Sequence, residues 1–321
     1  MKKLNRRDFI QQTVASSLAL GAVLSVPSTA LSSDAKPRKM TIDLVCGAIG
    51  VSANQQEAIE LAARHGFESV GVDAPYLAAL GDQQLADLQS TLKSKGLVFG
   101  AAGLPVEFRR DTAHFQESMK ALPAVAAGLQ RVGLDRISTW LTPCDDKLTY
   151  LVNFHQHATR LREVAKVLKE HNVRLGLEYV GPKTSWASRR YPFIHTMVEM
   201  KELIAEINTG NVGIQLDSWH WWNAGETAAD LRSLKGSEVI AVDLNDAPAG
   251  IPKEQQVDNR RELPCATGVI DLAAFLNALN QIGYDGPIRA EPFNQVVNKM
   301  SKDDACAAAA ASLKKAFSLL T

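Results

Sequence analysis

Residues 136–178 read RISTWLTPCDDKLTYLVNFHQHATRLREVAKVLKEHNVRLGLE, and this stretch contains two predicted strands with a predicted helix between them. The strand-like runs are Arg136–Trp140 and Arg174–Tyr179. Apolar residues repeat with helical spacing in the segment between them, at Leu161, Val164, Val167 and Leu168. A strand, a helix and a second strand in this order predict two parallel strands joined by a right-handed crossover.

The same alternation continues along the chain from residue 40 onward. Strand-like runs are predicted at Thr41–Val45, Ser69–Val72, Val98–Ala101, Arg136–Trp140, Arg174–Tyr179, Val212–Leu216, Val239–Leu244 and Pro287–Ala290. Eight strand–helix pairs indicate an α/β fold, a single (β/α)8 TIM barrel over residues 40–321, rather than an open doubly wound sheet. No G-x-G-x-x-G sequence follows the first strand, which argues against dinucleotide binding. The long connection Ala247–Gly268 is of the size that barrels use for function.

The first 35 residues are typical of a targeting segment and its linker. A basic start contains the pair Arg6-Arg7, followed by an apolar run from Val14 to Val26 and then by small residues. This order is typical of a twin-arginine signal peptide, so we expect the export machinery to deliver the protein to the periplasm or outside the cell. The alternative is an N-terminal membrane anchor, which the short apolar run with its glycine and serines disfavours. No later stretch approaches membrane-spanning length.

Composition excludes several other classes of function. Hydrophobic residues make up 46% and charged residues 22%, as in a packed globular protein. Removing residues 1–31 takes away four basic residues and one acidic residue, and 31 basic residues then face 34 acidic ones. This slightly negative balance argues against a nucleic-acid partner. The four cysteines show no CxxC spacing, so a structural zinc site is not expected.

Acidic residues stand at the ends of four consecutive predicted strands. These residues are Glu178, Asp217, Asp243 and Glu291. Catalytic groups of a TIM barrel lie at the carboxyl ends of its strands, so the four side chains are expected to meet. Such a cluster is unfavourable unless a cation or shared protons occupy it. Hard oxygen ligands suit Mn²⁺ or Mg²⁺, whereas an added histidine nitrogen makes Mn²⁺, Co²⁺ or Zn²⁺ more suitable.

The chain resembles the xylose isomerase-like TIM barrels, a superfamily with sugar isomerases, ketose epimerases and inosose dehydratase. The resemblance spans roughly residues 40–320 and rests on five motifs. The motifs are L-G-L-E (175–178), L-D-S-W-H (216–220), N-D-A-P (245–248), R-E-L-P-C-A-T-G-V-I-D (261–271) and G-Y-D-G-P-I-R-A-E-P-F (283–293). They are specific to the superfamily and much less specific to one reaction.

The resemblance implies that Glu178, Asp217 and Glu291 are ligands of a divalent metal ion, with Mn²⁺ favoured and Mg²⁺, Co²⁺ or Zn²⁺ as alternatives. Relatives usually carry a histidine at the position of Asp243. Either four carboxylates bind a harder ion here, or Asp243 has another task and the metal is held more weakly. We favour retained binding and include Asp243 among the predicted ligands.

Three further residues are candidates for contact with the substrate. His220 resembles the family's substrate-contacting histidine, although it could instead be packed among the tryptophans beside it. Lys183 could reach a substrate oxygen or be an ordinary exposed lysine. Arg261 could clamp the substrate or merely pin its loop. The other histidines are interpreted as surface or capping groups, namely His65, His114, His155, His157, His171 and His195.

These expectations lead to three hypotheses about function. The first is a sugar isomerase or epimerase that works through an enediolate, with Glu178 and Glu291 as the acid/base pair. The second is a lyase, dehydratase or hydrolase acting on a keto-sugar such as an inosose or an oxidised glycoside. The third is a non-catalytic sugar-binding barrel with a decayed metal site. The resemblance is also compatible with a homo-oligomer. Apurinic endonucleases share the fold, but their histidine-rich metal cluster and basic face are missing from the sequence.

Overall fold

A closed barrel of eight parallel strands is the centre of the protein in the computed structural model, which describes residues 38–321. The strands are β1 (Thr41–Leu44), β2 (Ser69–Val72), β3 (Val98–Gly103), β4 (Arg136–Trp140), β5 (Arg174–Glu178), β6 (Val212–Asp217), β7 (Val239–Leu244) and β8 (Pro287–Ala290). Neighbours in the chain are neighbours in the barrel, and β8 closes against β1. The predicted (β/α)8 barrel is confirmed, and only some strand ends differ from the prediction, by one or two residues.

Helices follow the strands and cover the outside of the barrel. They are α1 (Gln55–His65), α2 (Ala74–Ala79), α3 (Asp82–Ser94), α4 (Thr112–Met119), α5 (Leu122–Arg131), α6 (Tyr150–Glu170), α7 (Lys183–Trp186), α8 (Met197–Ile207), α9 (Ser218–Asn223), α10 (Ala228–Arg232), α11 (Leu272–Gln281) and α12 (Lys302–Phe317). Short 3-10 helices lie at Cys46–Ile49, Gly236–Glu238, Lys253–Gln255 and Val297–Lys299. All six residues of β7 are buried, as expected for a strand covered on both faces.

Helix α6 shows how the apolar repeat positions an element. Leu161, Val164 and Leu168 are buried against the barrel, as their spacing predicts. The interpretation of His157 as a surface or capping group is wrong, because this side chain is only 3% exposed. It lies on the same buried face of the helix, where its Nδ1 donates to the carbonyl of Asn153. Burial lowers the pKa of His157 to about 4, so it is neutral at physiological pH.

Loops at the carboxyl ends of the strands are tied together by a short antiparallel ribbon. Cys144–Asp145 after β4 pairs with Tyr191–Pro192 after β5. The loop between β7 and α11 is also fastened, since the hydroxyl of Thr184 donates to the carbonyl of Gln256 at 2.5 Å. The loops that surround the predicted site are therefore anchored to one another.

Two further sequence expectations concern export and cysteines. The proposed twin-arginine segment lies outside the described residues. In the described part of the chain, no helix combines the length and hydropathy that a membrane span requires. All four cysteines lie in the described residues and are free thiols, and Cys46, Cys144 and Cys306 are buried.

Candidate active site

Four carboxylates converge inside the barrel at the carboxyl ends of its strands. Glu178 is the last residue of β5 and Asp217 the last of β6, while Asp243 is near the end of β7 and Glu291 follows β8 directly. Asp217 and Asp243 are paired neighbours in the β6–β7 register. One oxygen from each of the four residues lies within 4.8 Å of the others. One oxygen each from Glu178 and Asp217 and a ring nitrogen of His220 form a second group with the same spacing. The structure thus brings together every residue predicted as a metal ligand.

Burial and mutual repulsion shift the proton affinities of these acids. Burial, followed by the charge of Asp243, raises the pKa of Glu178 well above its ordinary value. The same two causes raise the pKa of Glu291 to about 8, against the opposing charges of Arg289 and Arg261. Two glutamates that lie at one site are placed to exchange protons with a substrate.

Arg261 lies at the centre of the cluster and is almost completely buried. Its Nη1 donates to Asp217 Oδ2 at 2.7 Å and to Glu291 Oε2 at 3.1 Å. Its Nη2 donates to Asp258 Oδ1 at 2.9 Å. Burial alone would lower the pKa of Arg261, but the carboxylates, Asp217 first, raise it overall. The arginine therefore pins its loop to the site and remains a cation beside the candidate catalytic acids.

Asp258 belongs to the same long loop and was not predicted from the sequence. Its side chain is about one-third exposed, and Arg261 is its ion-pair partner. The charge of Arg261 lowers the pKa of Asp258 although burial opposes this effect. Nothing in the local sequence distinguishes Asp258 from other loop aspartates, because its place depends on the path of the loop.

A second arginine, Arg289 on β8, binds Asp243. Arg289 Nε donates to Asp243 Oδ1, and Nη2 donates to Asp243 Oδ2 at 3.1 Å. Gln215 on β6 also donates to Asp243 Oδ2, at 2.6 Å. Arg289 Nη2 lies 3.5 Å from Glu291 Oε1 as well. Neither Arg289 nor Gln215 was predicted, although Arg289 stands two residues before Glu291 and so shares its strand face.

His220 is buried beside Glu178 and Asp217. Its Nε2 lies 4.0 Å from Glu178 Oε1 and 3.7 Å from Asp217 Oδ2. The backbone N–H of Gly181 lies 3.3 Å from its Nδ1, and Nη2 of Arg261 lies 3.3 Å from its Nε2, so a donor faces each ring nitrogen. Burial lowers the pKa of His220 to about 3, so the ring is neutral. A neutral imidazole therefore lies between the carboxylates and Arg261.

Backbone and amide groups fix two of the acids in place. The backbone N–H of Trp219 donates to Asp217 Oδ1 at 2.7 Å, and Asn245 Nδ2 donates to the same oxygen at 3.1 Å. Asn245 Oδ1 accepts from the backbone N–H of Glu291 at 3.0 Å. Asn245 therefore links the ends of β6 and β8 across the site.

Lys183 is the one predicted site residue that lies apart from this buried group. It begins helix α7 and is exposed. Its contact with substrate remains a prediction. The tryptophans near His220 belong largely to the core, because Trp219 and Trp221 are buried.

The site's residues fit a divalent cation. Glu178 Oε1 is buried and has no hydrogen-bond partner among the described residues, so a strong acceptor is left unsatisfied. Among residues 38–321, two guanidinium groups form ion pairs with these four carboxylates, and a cation would relieve the remaining negative charge. Oxygen ligands of this kind suit hard ions, and the nearby imidazole would also accommodate softer ones.

Comparison with known proteins identifies the class to which this fold and site belong. The family model of the xylose isomerase-like TIM barrel matches residues 59–316, and the chain belongs to this family. A xylose isomerase domain protein from Alicyclobacillus acidocaldarius has a solved structure that is 30% identical, with a TM-score of 0.77 over 87% of this chain and 99% of that one.

Two further similarities are more distant. An inosose isomerase from Bacillus velezensis is 22% identical over 257 residues, which cover 79% of this chain and 88% of the relative. The IOLI protein, whose solved structure has a bound zinc atom, is 21% identical with a TM-score of 0.72 over 88% of this chain and 99% of that one.

Proposed function

We propose that this protein is a divalent-metal-dependent isomerase or epimerase of a sugar or keto-sugar, and that Glu178 and Glu291 move the proton. The observation that carries the proposal is the convergence of these two glutamates, each with a raised pKa, in one buried group with Asp217. The similarity to a protein named inosose isomerase supports an isomerisation of a cyclic or open keto-sugar.

The residues that would hold the metal ion are Glu178, Asp217, Asp243 and Glu291, which lie together in one cluster. When bound, such an ion polarises neighbouring substrate oxygens and acidifies the C–H beside them. The similarity to a zinc-containing structure supports a divalent ion, and Mn²⁺ remains our preferred candidate because the ligands are mostly carboxylates.

The chain's own groups then divide the work of an enediolate reaction. Glu178 ends β5 and Glu291 directly follows β8, so one can remove a proton from carbon and the other can return it. The neutral imidazole of His220 can form a hydrogen bond with a substrate group without changing its own charge. Arg261 supplies a fixed positive charge where negative charge develops on the substrate.

Solvent deuterium exchange on a panel of ketoses and inososes, with Mn²⁺ added, tests this proposal. The wild type should incorporate deuterium with the carbon skeleton retained, and Glu178→Gln and Glu291→Gln should each abolish incorporation. Glu226→Gln is the matched control, because Glu226 is a largely buried glutamate that binds Tyr179 and Met197 outside the cluster. Release of an enone or a free aglycone would assign the protein to the lyases instead. Full exchange activity in either cluster variant would refute the acid/base pair.

We also propose that the protein is exported, on the basis of Arg6-Arg7 and the apolar run that follows them. A periplasmic or extracellular location would favour free sugars over phosphorylated ones as substrates. Its test is described with the other predictions.

A further inference from the structure

We propose that Asp246 is a positioning residue for Arg261, because its carboxylate closes the loop between β7 and α11 and so holds that arginine against the acids of the site. The part of this inference that concerns turnover rests on the function proposed above. Asp246 lies two residues after the end of β7 and is completely buried. It does not belong to the cluster of candidate metal ligands, so any effect on the site must pass through other residues.

The carboxylate of Asp246 accepts hydrogen bonds from four backbone N–H groups, and we call these four bonds the Asp246 clamp. Oδ1 accepts from Ala247 at 2.8 Å and from Ile270 at 3.1 Å, and Oδ2 accepts from Thr267 at 2.9 Å and from Gly268 at 2.7 Å. The donors stand at the beginning of the long loop and around its end, so one side chain joins the two. Among residues 38–321, no other carboxylate accepts more than two backbone N–H groups.

The same residue also holds the turn that leads to the end of the loop. The backbones of Asp246 and Glu262 exchange two hydrogen bonds of 2.9 Å in an antiparallel bridge. Because the side chain of Asp246 then binds Thr267, one residue fastens the turn 262–267 at both ends. Within this turn Cys265 has a φ of 61°, which residues other than glycine rarely adopt. The turn therefore depends on contacts with its surroundings to keep this shape.

Arg261 directly precedes this turn, so its place depends on how the turn is held. Its neighbour Glu262 is bridged to Asp246, and its own Nη1 donates to Asp217 Oδ2 at 2.7 Å and to Glu291 Oε2 at 3.1 Å. A displacement of about 1 Å would break such bonds, and misplacements of this size can lower a rate by about a hundredfold. The Asp246 clamp thus connects the base of the loop to the positive charge in the site.

Two other contacts fasten the same loop at different points. The hydroxyl of Thr184 donates to the carbonyl of Gln256, and Asn294 Nδ2 donates to the carbonyl of Arg261 at 3.0 Å. These are bonds between neutral groups, whereas each bond of the Asp246 clamp has a charged acceptor and is about twice as strong. Loss of the clamp should therefore loosen the base of the loop and the turn, while the loop as a whole stays attached.

Hydrogen–deuterium exchange of the full chain, followed by mass spectrometry, tests the clamp without any substrate. Asp246→Asn keeps the shape of the side chain, but its amide nitrogen cannot accept hydrogen bonds from the two N–H groups that would face it. Peptides that cover residues 261–270 should therefore exchange about tenfold or more faster than in the wild type, while peptides from α6 exchange at the same rate. Exchange of residues 261–270 at the wild-type rate would overturn the inference.

Asp271→Asn is the matched control, because Asp271 lies just beyond the loop and caps α11 through the N–H of Ala274. Asparagine is an equally good cap, so residues 261–270 should exchange as in the wild type. Thr267→Val is a milder change for the case that Asp246→Asn does not fold. It removes the hydroxyl that donates to the carbonyl of Ala247 at 2.6 Å and should also raise exchange of residues 261–270. Exchange at the wild-type rate in Thr267→Val would then overturn the inference.

A double-mutant cycle on kcat/KM shows whether the clamp acts through Arg261. Asp246→Asn should lower kcat/KM on the best substrate of the panel by about tenfold or more in the wild-type background, and by less than about threefold in the Arg261→Lys background. A residue with a purely structural role would lower kcat/KM by the same factor in both backgrounds, and that result would overturn the inference. Absence of turnover in the wild type would count against the proposed function instead, and the exchange of residues 261–270 would still decide whether Asp246 holds the backbone at Arg261.

Discussion

Asp43 on β1 is a buried acid, and the structure predicts that its charged form lowers the stability of the fold as the pH rises. The side chain is 2% exposed, and its Oδ1 has no hydrogen-bond partner among the described residues. Burial raises the pKa of Asp43 from its ordinary value of 3.8 to about 6, and the charge of Arg289 only partly opposes this. Replacing Asp43 with asparagine removes the titration while keeping the shape of the side chain.

The size of the effect follows from the change in proton affinity on folding. Each tenfold change in proton affinity is about 1.4 kcal/mol, so the rise from 3.8 to about 6 corresponds to about 3 kcal/mol. The folded state binds the proton of Asp43 more tightly than the unfolded state does. The loss of stability caused by the buried charge is therefore absent well below pH 3.8 and complete well above pH 6. The stability of Asp43→Asn relative to wild type should therefore rise by about 2.4 kcal/mol between pH 4 and pH 8, most of this total.

Urea unfolding of wild type and of Asp43→Asn at the two pH values measures this difference. Any effect of the asparagine amide on stability that does not depend on pH cancels in the comparison. Asp230→Asn is a control of opposite sign. Hydrogen bonds from Thr227 lower the pKa of Asp230, so this variant should lose stability relative to wild type as the pH rises. A pH-independent difference for Asp43→Asn would refute the reasoning, because it would mean that Asp43 is solvated or paired in the folded protein.

Three other predictions concern the core, the site and export. His157 is neutral in the folded protein because burial lowers its pKa from 6.5 to about 4. Between pH 7 and pH 4, the free energy of unfolding of the wild type should therefore fall by up to about 3 kcal/mol more than that of His157→Phe. Equal decreases in urea unfolding experiments would contradict this. Arg261→Lys keeps the positive charge, but a lysine cannot bridge Asp217 and Asp258 with two separate nitrogens. We therefore expect kcat/KM on the best substrate of the panel to fall by about tenfold or more. Unchanged kinetics would contradict the bridging role of Arg261. Replacing Arg6 and Arg7 with lysines should leave the precursor in the cytoplasm on cell fractionation, and unchanged export would count against a twin-arginine signal.

The barrel was predictable because each strand carries its own local signal. The apolar runs from Thr41 to Ala290 begin where the observed strands begin, and the helical repeat of α6 identifies its buried face. The same repeat could have placed His157 correctly, since this residue stands four positions before Leu161 on that face. Local patterns were sufficient wherever burial alone decides the structure.

The pairings within the site were not predictable in the same way. Asp243 and Arg289 are 46 residues apart, and their contact depends on which strands adjoin and in which register. Asp258 and Arg261 lie in the loop between β7 and α11, and the path of this loop depends on its contacts with other parts of the structure. The sequence could place the acids at the strand ends, but it could not show which of them are already neutralised by arginine.

Anomalous diffraction from crystals of the protein soaked with Mn²⁺ tests the central claim most directly, because it locates the ion without reference to turnover. We predict a single strong peak among Glu178, Asp217, Asp243 and Glu291, at about 2.0–2.1 Å from an oxygen of Glu178. No peak at this cluster would contradict this account of the site.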